Sequence, residues 1–154
     1  MEIVITGSTG LIGRALTESL RADGHRPIGM VRRAVQPGED AIEWAPDEGR
    51  IDATALEGVD AVVHLAALSN DPIGDLNPEW TYEINERASV ALAAAARDAG
   101  VGRFVFASSC SMYGAAGDGE AVSEESPLRP LTPYAESKVH AEEAILSLAG
   151  PAFA

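Results

Sequence analysis

Cysteine is nearly absent: Cys110 is the single thiol in 154 residues, which excludes an internal disulfide. Histidine is sparse too. His25, His64 and His140 are scattered, without the spacing of metal ligands, so no metal is expected. Basic residues are few. Eleven Lys and Arg against 24 Asp and Glu leave a formal net charge of −13, the wrong sign for a surface that grips a nucleic-acid duplex. No apolar run approaches the ~20 residues that cross a bilayer. An apolar strand begins directly after Met1, with no charged and then apolar leader before it. The expectation is a cytoplasmic protein with neither nucleic acid nor membrane as partner. Aromatic residues make up only 5% of a chain that is 46% hydrophobic. A core of Ala, Val, Ile and Leu suits a sheet under closely packed helices. The length fits one domain able to bury its own core.

What is present alternates. Glu2 to Thr6 reads as a buried strand. A helix to about Ala22 follows, with Leu11, Ile12, Ala15, Leu16 and Leu20 on one stripe and Asp23-Gly24 as its stop. Arg26 to Val31 and Ala41 to Trp44 read as strands, and 51–57 as a short helix. Asp60 to Leu65 is a fourth strand. Asn77-Pro78 opens a long Ala-rich helix to Ala99, which Gly100 ends. Arg103 to Ala107 is a fifth strand, 114–131 a long loop, and Thr132-Pro133 caps a helix to about Leu148. This alternation predicts an α/β fold with a doubly wound parallel sheet. In the usual order 3-2-1-4-5 the ligand crevice lies above strands 1 and 4.

Gly7-Ser-Thr-Gly-Leu-Ile-Gly13 lies between the first strand and its helix. There the first glycine permits a tight turn, the second lets backbone approach a pyrophosphate, and the third lets helix and strand pack closely. The helix start offers free N–H groups to an anion, and Ser8 and Thr9 add hydroxyl donors. In this context the spacing is a dinucleotide-binding signal.

Ile-Thr-Gly-Ser-Thr-Gly-Leu-Ile-Gly, ending at Gly13, resembles the extended short-chain dehydrogenase/reductases, the NAD(P)-dependent epimerase/dehydratase family. The resemblance implies a Rossmann domain over 1–154, with a sixth strand and a substrate domain to follow that this chain lacks. It is read as the amino-terminal portion of such an enzyme. Gly7, Ser8, Thr9, Gly10, Leu11, Ile12 and Gly13 would line the pyrophosphate, and Leu65, Ala66 and Ala67 would lie along the cofactor. Asn85, in Tyr-Glu-Ile-Asn, would face the sheet and steady that side. His64 reads as a packed strand-end histidine rather than a proton donor. In sugar epimerases an Asp at the end of strand 2 holds the ribose. Val31 stands at that position here, followed by Arg32 and Arg33. Two guanidinium groups without a carboxylate suit a 2′-phosphate, so NADP is favoured over NAD.

The family's catalytic trio falls on Ser109, four residues before Tyr113-Gly114, and on Tyr134 and Lys138 of Tyr-Ala-Glu-Ser-Lys. At i and i+4, Tyr134 and Lys138 share a helix face. A phenol ordinarily keeps its proton at neutral pH, and a neighbouring ammonium favours its release. Tyr134 would exchange the hydroxyl proton of a substrate, Lys138 would tune Tyr134 and hold the nicotinamide ribose, and Ser109 would hydrogen-bond the substrate oxygen. Dehydratases of the family carry Asp-Glu directly after the Ser, where this chain has Cys110 and Ser111. That points away from dehydration. The reading is an epimerase or reductase acting by reversible hydride transfer at a carbinol carbon, with a small-molecule substrate, a nucleotide-sugar. A non-catalytic NADP-binding sensor on the same fold stays open, as does a purely structural fragment. Many family members pair through the two helices that here are 77–99 and 133–148, so a homodimer is a further expectation.

Overall fold

The computed structural model describes residues 1–32, 35–48, 51–69, 77–115 and 121–154. Five parallel strands form one sheet: β1 (Glu2–Thr6), β2 (Arg26–Val31), β3 (Ala41–Glu43), β4 (Ala61–His64) and β5 (Arg103–Phe106). Their order is β3-β2-β1-β4-β5. β1 is central, with Val4 opposite Ile28 on one side and Val62 on the other. Ile3, Val4 and Ile5 are all buried, as a central strand covered on both faces requires.

The two faces are covered unequally. On one, α1 (Leu11–Ala22) lays Leu16 and Leu20 over Ile3, Ile5 and Ala61. The expected stripe is only partly used. Leu11 and Ile12 are 90% and 69% exposed, because the first turn of α1 follows the glycine loop at the carboxyl edge of the sheet. On the other face, Val4, Ile28, Met30 and Val62 meet a deeper layer of Ala88, Leu92, Ala93, Ala96, Ala141 and Ile145. Alanines let these helices approach the sheet closely.

The helix expected to run unbroken over 77–99 contains a wider turn. α2 (Pro78–Tyr82) passes into a π turn (Glu83–Arg87) and then α3 (Ala88–Asp98). Asn85 lies inside that turn, fully buried. Its side chain reaches inward to the backbone of Leu68, in the chain after β4, so the wider turn coincides with this contact. α4 (Pro133–Leu146) starts as expected, with Thr132 Oγ1 accepting from Ala135 N–H, and stops two residues short of Leu148. The short helix of 51–57 is a single 3-10 turn, Ala53–Leu56, capped by Asp52. β3 ends one residue before Trp44. No sixth strand forms among the described residues. Ala154 nevertheless sits on the free edge of β5, donating to Gly102 O at 3.3 Å and accepting from Phe104 N–H at 2.8 Å. Phe153 is buried against Phe104 beside it.

Candidate active site

The glycine loop closes on itself. Gly7 has φ +68°, and a Cβ there would stand 3.2 Å from Ala66 N and 3.3 Å from Leu65 C. A Cβ on Gly13 would stand 2.2 Å from Gly7 O. The first and third glycines therefore do what their spacing requires: one turns the chain against the end of β4, and the other lets α1 start beneath the loop. Arg14 Nε donates to Thr9 O at 2.8 Å and ties the helix back to the loop.

A cleft of about 580 Å³ opens at the carboxyl ends of β1 and β4. Gly7, Thr9 and Gly10 form one wall, and Leu65, Ala66 and Ala67 the other. Met30 and Trp44 also line it, with Val31 and Arg32 at the end of β2. Val31 thus occupies the expected position of a ribose-binding carboxylate, and Arg32 is an exposed cation on the cleft. Arg33 lies outside the described residues. Ser8 does not line this cleft. It faces a second groove of about 350 Å³ between α1 and β2–β3, with its Oγ 2.8 Å from where a Cβ of Gly29 would be. Leu11 and Ile12 face solvent instead of the cleft. Gly13 is buried under the loop. Asn85 stands behind the cleft: it accepts from Leu68 N–H at 2.7 Å and donates to Leu68 O at 3.0 Å and to Ser137 Oγ at 3.4 Å.

His64 is buried at the end of β4, between Thr6 Oγ1 at 2.7 Å and Ser89 Oγ at 2.8 Å. The rings of Trp44, Phe104 and Phe106 surround it. Burial first, and the charge of Lys138 second, push its pKa down to about 3, so it is neutral at physiological pH. That accords with a packed histidine and not a proton donor.

Beyond β5, the 3-10 turn Cys110–Tyr113 starts from Ser109, whose Oγ accepts from Ser111 N–H at 3.2 Å and meets Ser111 Oγ at 2.8 Å. α4 packs against this turn. Lys138, only 3% exposed, donates from Nζ to Ala107 O at 2.8 Å. Its ammonium is 4.6 Å from the Phe106 ring centre and 5.9 Å from that of Tyr134. Burial lowers its pKa to about 8, which still leaves it mostly charged at neutral pH. It is the chain's only lysine. Lys138 thus joins the helix carrying Tyr134 to the strand end that leads into Ser109. Cys110 is exposed. Among the described residues no group of three or more His, Cys, Asp or Glu side chains is placed to hold a metal ion, and no helix is long and apolar enough to cross a membrane.

Sequence reasoning missed Thr6, Ser89 and Ser111. A signal existed for Ser89, which follows Asn85 by four residues and so shares its helix face. None existed for Ser111 beyond its departure from the Asp-Glu pattern.

The model of the NAD dependent epimerase/dehydratase family matches residues 3–150. The chain belongs to this family. An epimerase family protein of Mycobacterium leprae is 36% identical over 117 residues, which cover 73% of this chain and 37% of that protein. A UDP-glucose 4-epimerase of Mycolicibacterium smegmatis is 31% identical, with 92% of this chain matched to 49% of the enzyme. Among solved structures, MoeE5 in complex with UDP-glucose and NAD superposes with a TM-score of 0.85 and 31% identity, over 96% of this chain and 49% of that one. This family member therefore spans half or less of the length of these relatives, and its Rossmann fold is theirs.

Proposed function

We propose that the chain is the dinucleotide-binding portion of an NAD(P)-dependent epimerase or reductase that transfers hydride reversibly at a carbinol carbon of a nucleotide-sugar. One observation carries the reading: the only lysine is buried beside Tyr134 and anchored to the strand end before Ser109. A buried ammonium is costly unless partnered, and its place beside Tyr134 supports a chemical role.

The cleft suits a dinucleotide, because its glycine-loop wall is bare backbone that a Cβ at Gly7 or Gly13 would crowd, while Met30 and Trp44 add apolar surface beside it. Gly7, Thr9 and Gly10 would hold the pyrophosphate, and Leu65 to Ala67 would flank the nucleoside. A nicotinamide bound there supplies the hydride acceptor. All else falls to the chain. Tyr134 takes the hydroxyl proton as the carbon is oxidised and returns it on reduction. Ser109 would donate to the same oxygen, and Lys138 would hold the nicotinamide ribose. Ser111 holds Ser109 in place. MoeE5 is seen with NAD. The end of β2, with Val31 in place of a carboxylate and Arg32 on the cleft, supports NADP here. Pairing of two copies through α2–α3 and α4 belongs to the same reading.

Calorimetric titration with NADPH and NADH tests it. Tighter NADPH binding is expected. Tighter NADH binding overturns the role of Arg32, and binding of neither overturns the cofactor reading. Tyr134→Phe is expected to keep binding and abolish turnover. Unchanged turnover would refute catalysis by Tyr134.

A further inference from the structure

The hydrogen bonds around His64 can be assigned proton by proton. Thr6 Oγ1 accepts from Leu65 N–H at 3.0 Å and from Ala66 N–H at 2.9 Å. Both lone pairs are then used, so its single proton points to His64 Nδ1. Ser89 Oγ donates its own proton to Asn85 O at 2.7 Å, and so can only accept from His64 Nε2. Two separate arguments, one from each side of the ring, give the same tautomer: Nδ1 bare, Nε2 protonated. The chain of bonds runs from the residue before the glycine loop, through the amides that form the opposite cleft wall, to the π turn whose Asn85 holds Leu68.

We propose that His64, locked as the neutral Nε2–H tautomer, is a positioning residue that sets the spacing of the two cleft walls by coupling Thr6 to Ser89 and Asn85. It touches no ligand. It acts through Thr6, whose oxygen fixes the Leu65 and Ala66 amides against Gly7. This deepens the dinucleotide reading of the same cleft but is testable without any dinucleotide.

Long-range ¹H–¹⁵N correlation of the unmodified protein reads the tautomer directly. A bare Nδ1 and protonated Nε2 are expected, and the reverse tautomer overturns the proposal. The coupling is tested with Ser89→Ala, which removes the acceptor on the far side of the ring, and with the hydroxyl-keeping Ser89→Thr as the rescue. Amide exchange at Leu65 and Ala66 should speed up about tenfold in Ser89→Ala and return to near normal in Ser89→Thr. Changes confined to Asn85 and its helix would overturn the coupling. If Ser89→Ala fails to fold, Thr6→Ser against Thr6→Val gives the same contrast in the exchange of Leu68. If the unmodified protein binds a dinucleotide, its affinity should fall about tenfold in Ser89→Ala. If it binds none, the cofactor reading fails while the tautomer and exchange results still decide this proposal.

Discussion

The glycine-loop region and the β5–α4 region are each built around one buried basic side chain, and burial pushes both pKa values down, His64 to about 3 and Lys138 to about 8. The outcome is opposite. At neutral pH His64 is uncharged, and every proton around it is committed to a neighbour. Lys138 keeps its charge with one carbonyl and two aromatic rings for company. The glycine-loop end is therefore a backbone structure fixed by a silent hydrogen-bond chain. The β5–α4 end is a side-chain structure organised around a charge. Damage at the first should be steric and geometric, and damage at the second should be chemical.

The strongest way to break this contrast is to put an atom where the loop has none. Gly13→Ala brings a Cβ within 2.2 Å of Gly7 O and 2.7 Å of Ser8 Cα, both backbone. A cost of about 3 kcal/mol or more is expected, with dinucleotide binding lost in calorimetry. Binding and melting unchanged from the parent would mean that the loop is not rigid.

Next comes Lys138→Met, which removes the charge and keeps the bulk. Turnover should fall at least about a hundredfold, while stability at neutral pH holds or improves. The parent carries a matching pH signature. Its folded pKa lies below that of a free lysine, so between pH 8 and about 10 the unfolded chain binds the extra proton. Stability should rise with pH there by up to about 1.4 kcal/mol per unit. With only one lysine in the chain, denaturant titration of Lys138→Met should show that slope gone. A slope that persists would assign it elsewhere.

His64 gives the smaller, acid-side counterpart. Its folded pKa is also depressed, so its contribution is complete above the free-histidine value and is lost as pH falls. Between pH 6.5 and 5, about 2 kcal/mol should go. His64→Asn, which retains an acceptor near the Nδ1 position, should start from lower stability and lack this slope. An unaltered slope would mean that another group supplies it.

Legibility followed the same divide. The strand order and the glycine loop were readable because each rests on local rules: apolar runs, turn glycines and caps such as Thr132. Tyr134 and Lys138 were readable as a spacing. The π turn was not, since Glu83–Arg87 differs from an ordinary helix by one inserted residue whose reason, Asn85 reaching Leu68, spans 17 positions. The Thr6–His64–Ser89 chain was hidden for the same reason. Its partners lie 58 and 25 residues apart, and only the packing of β1, β4 and α3 unites them. Leu11 and Ile12 share the apolar stripe of α1 yet lie exposed, because periodicity cannot see where the sheet ends.

The smallest expected effect tests the chemical end at its finest grain. Ser109 Oγ meets Ser111 twice, through the amide at 3.2 Å and the hydroxyl at 2.8 Å. With the amide as one donor and the Ser111 hydroxyl as the other, the Ser109 proton is left free to point at a substrate oxygen. Ser111→Ala removes only the second contact, because the amide stays. Turnover should fall about fivefold, as expected for one neutral hydrogen bond, with KM little changed and melting unaltered. Ser109→Ala should cost far more, and Cys110→Ala, at an exposed thiol, should cost nothing. A Ser111→Ala loss as large as that of Ser109→Ala would mean that Ser111 itself faces the substrate. Ser111 would then put a hydroxyl where dehydratases carry the second of their two acidic residues.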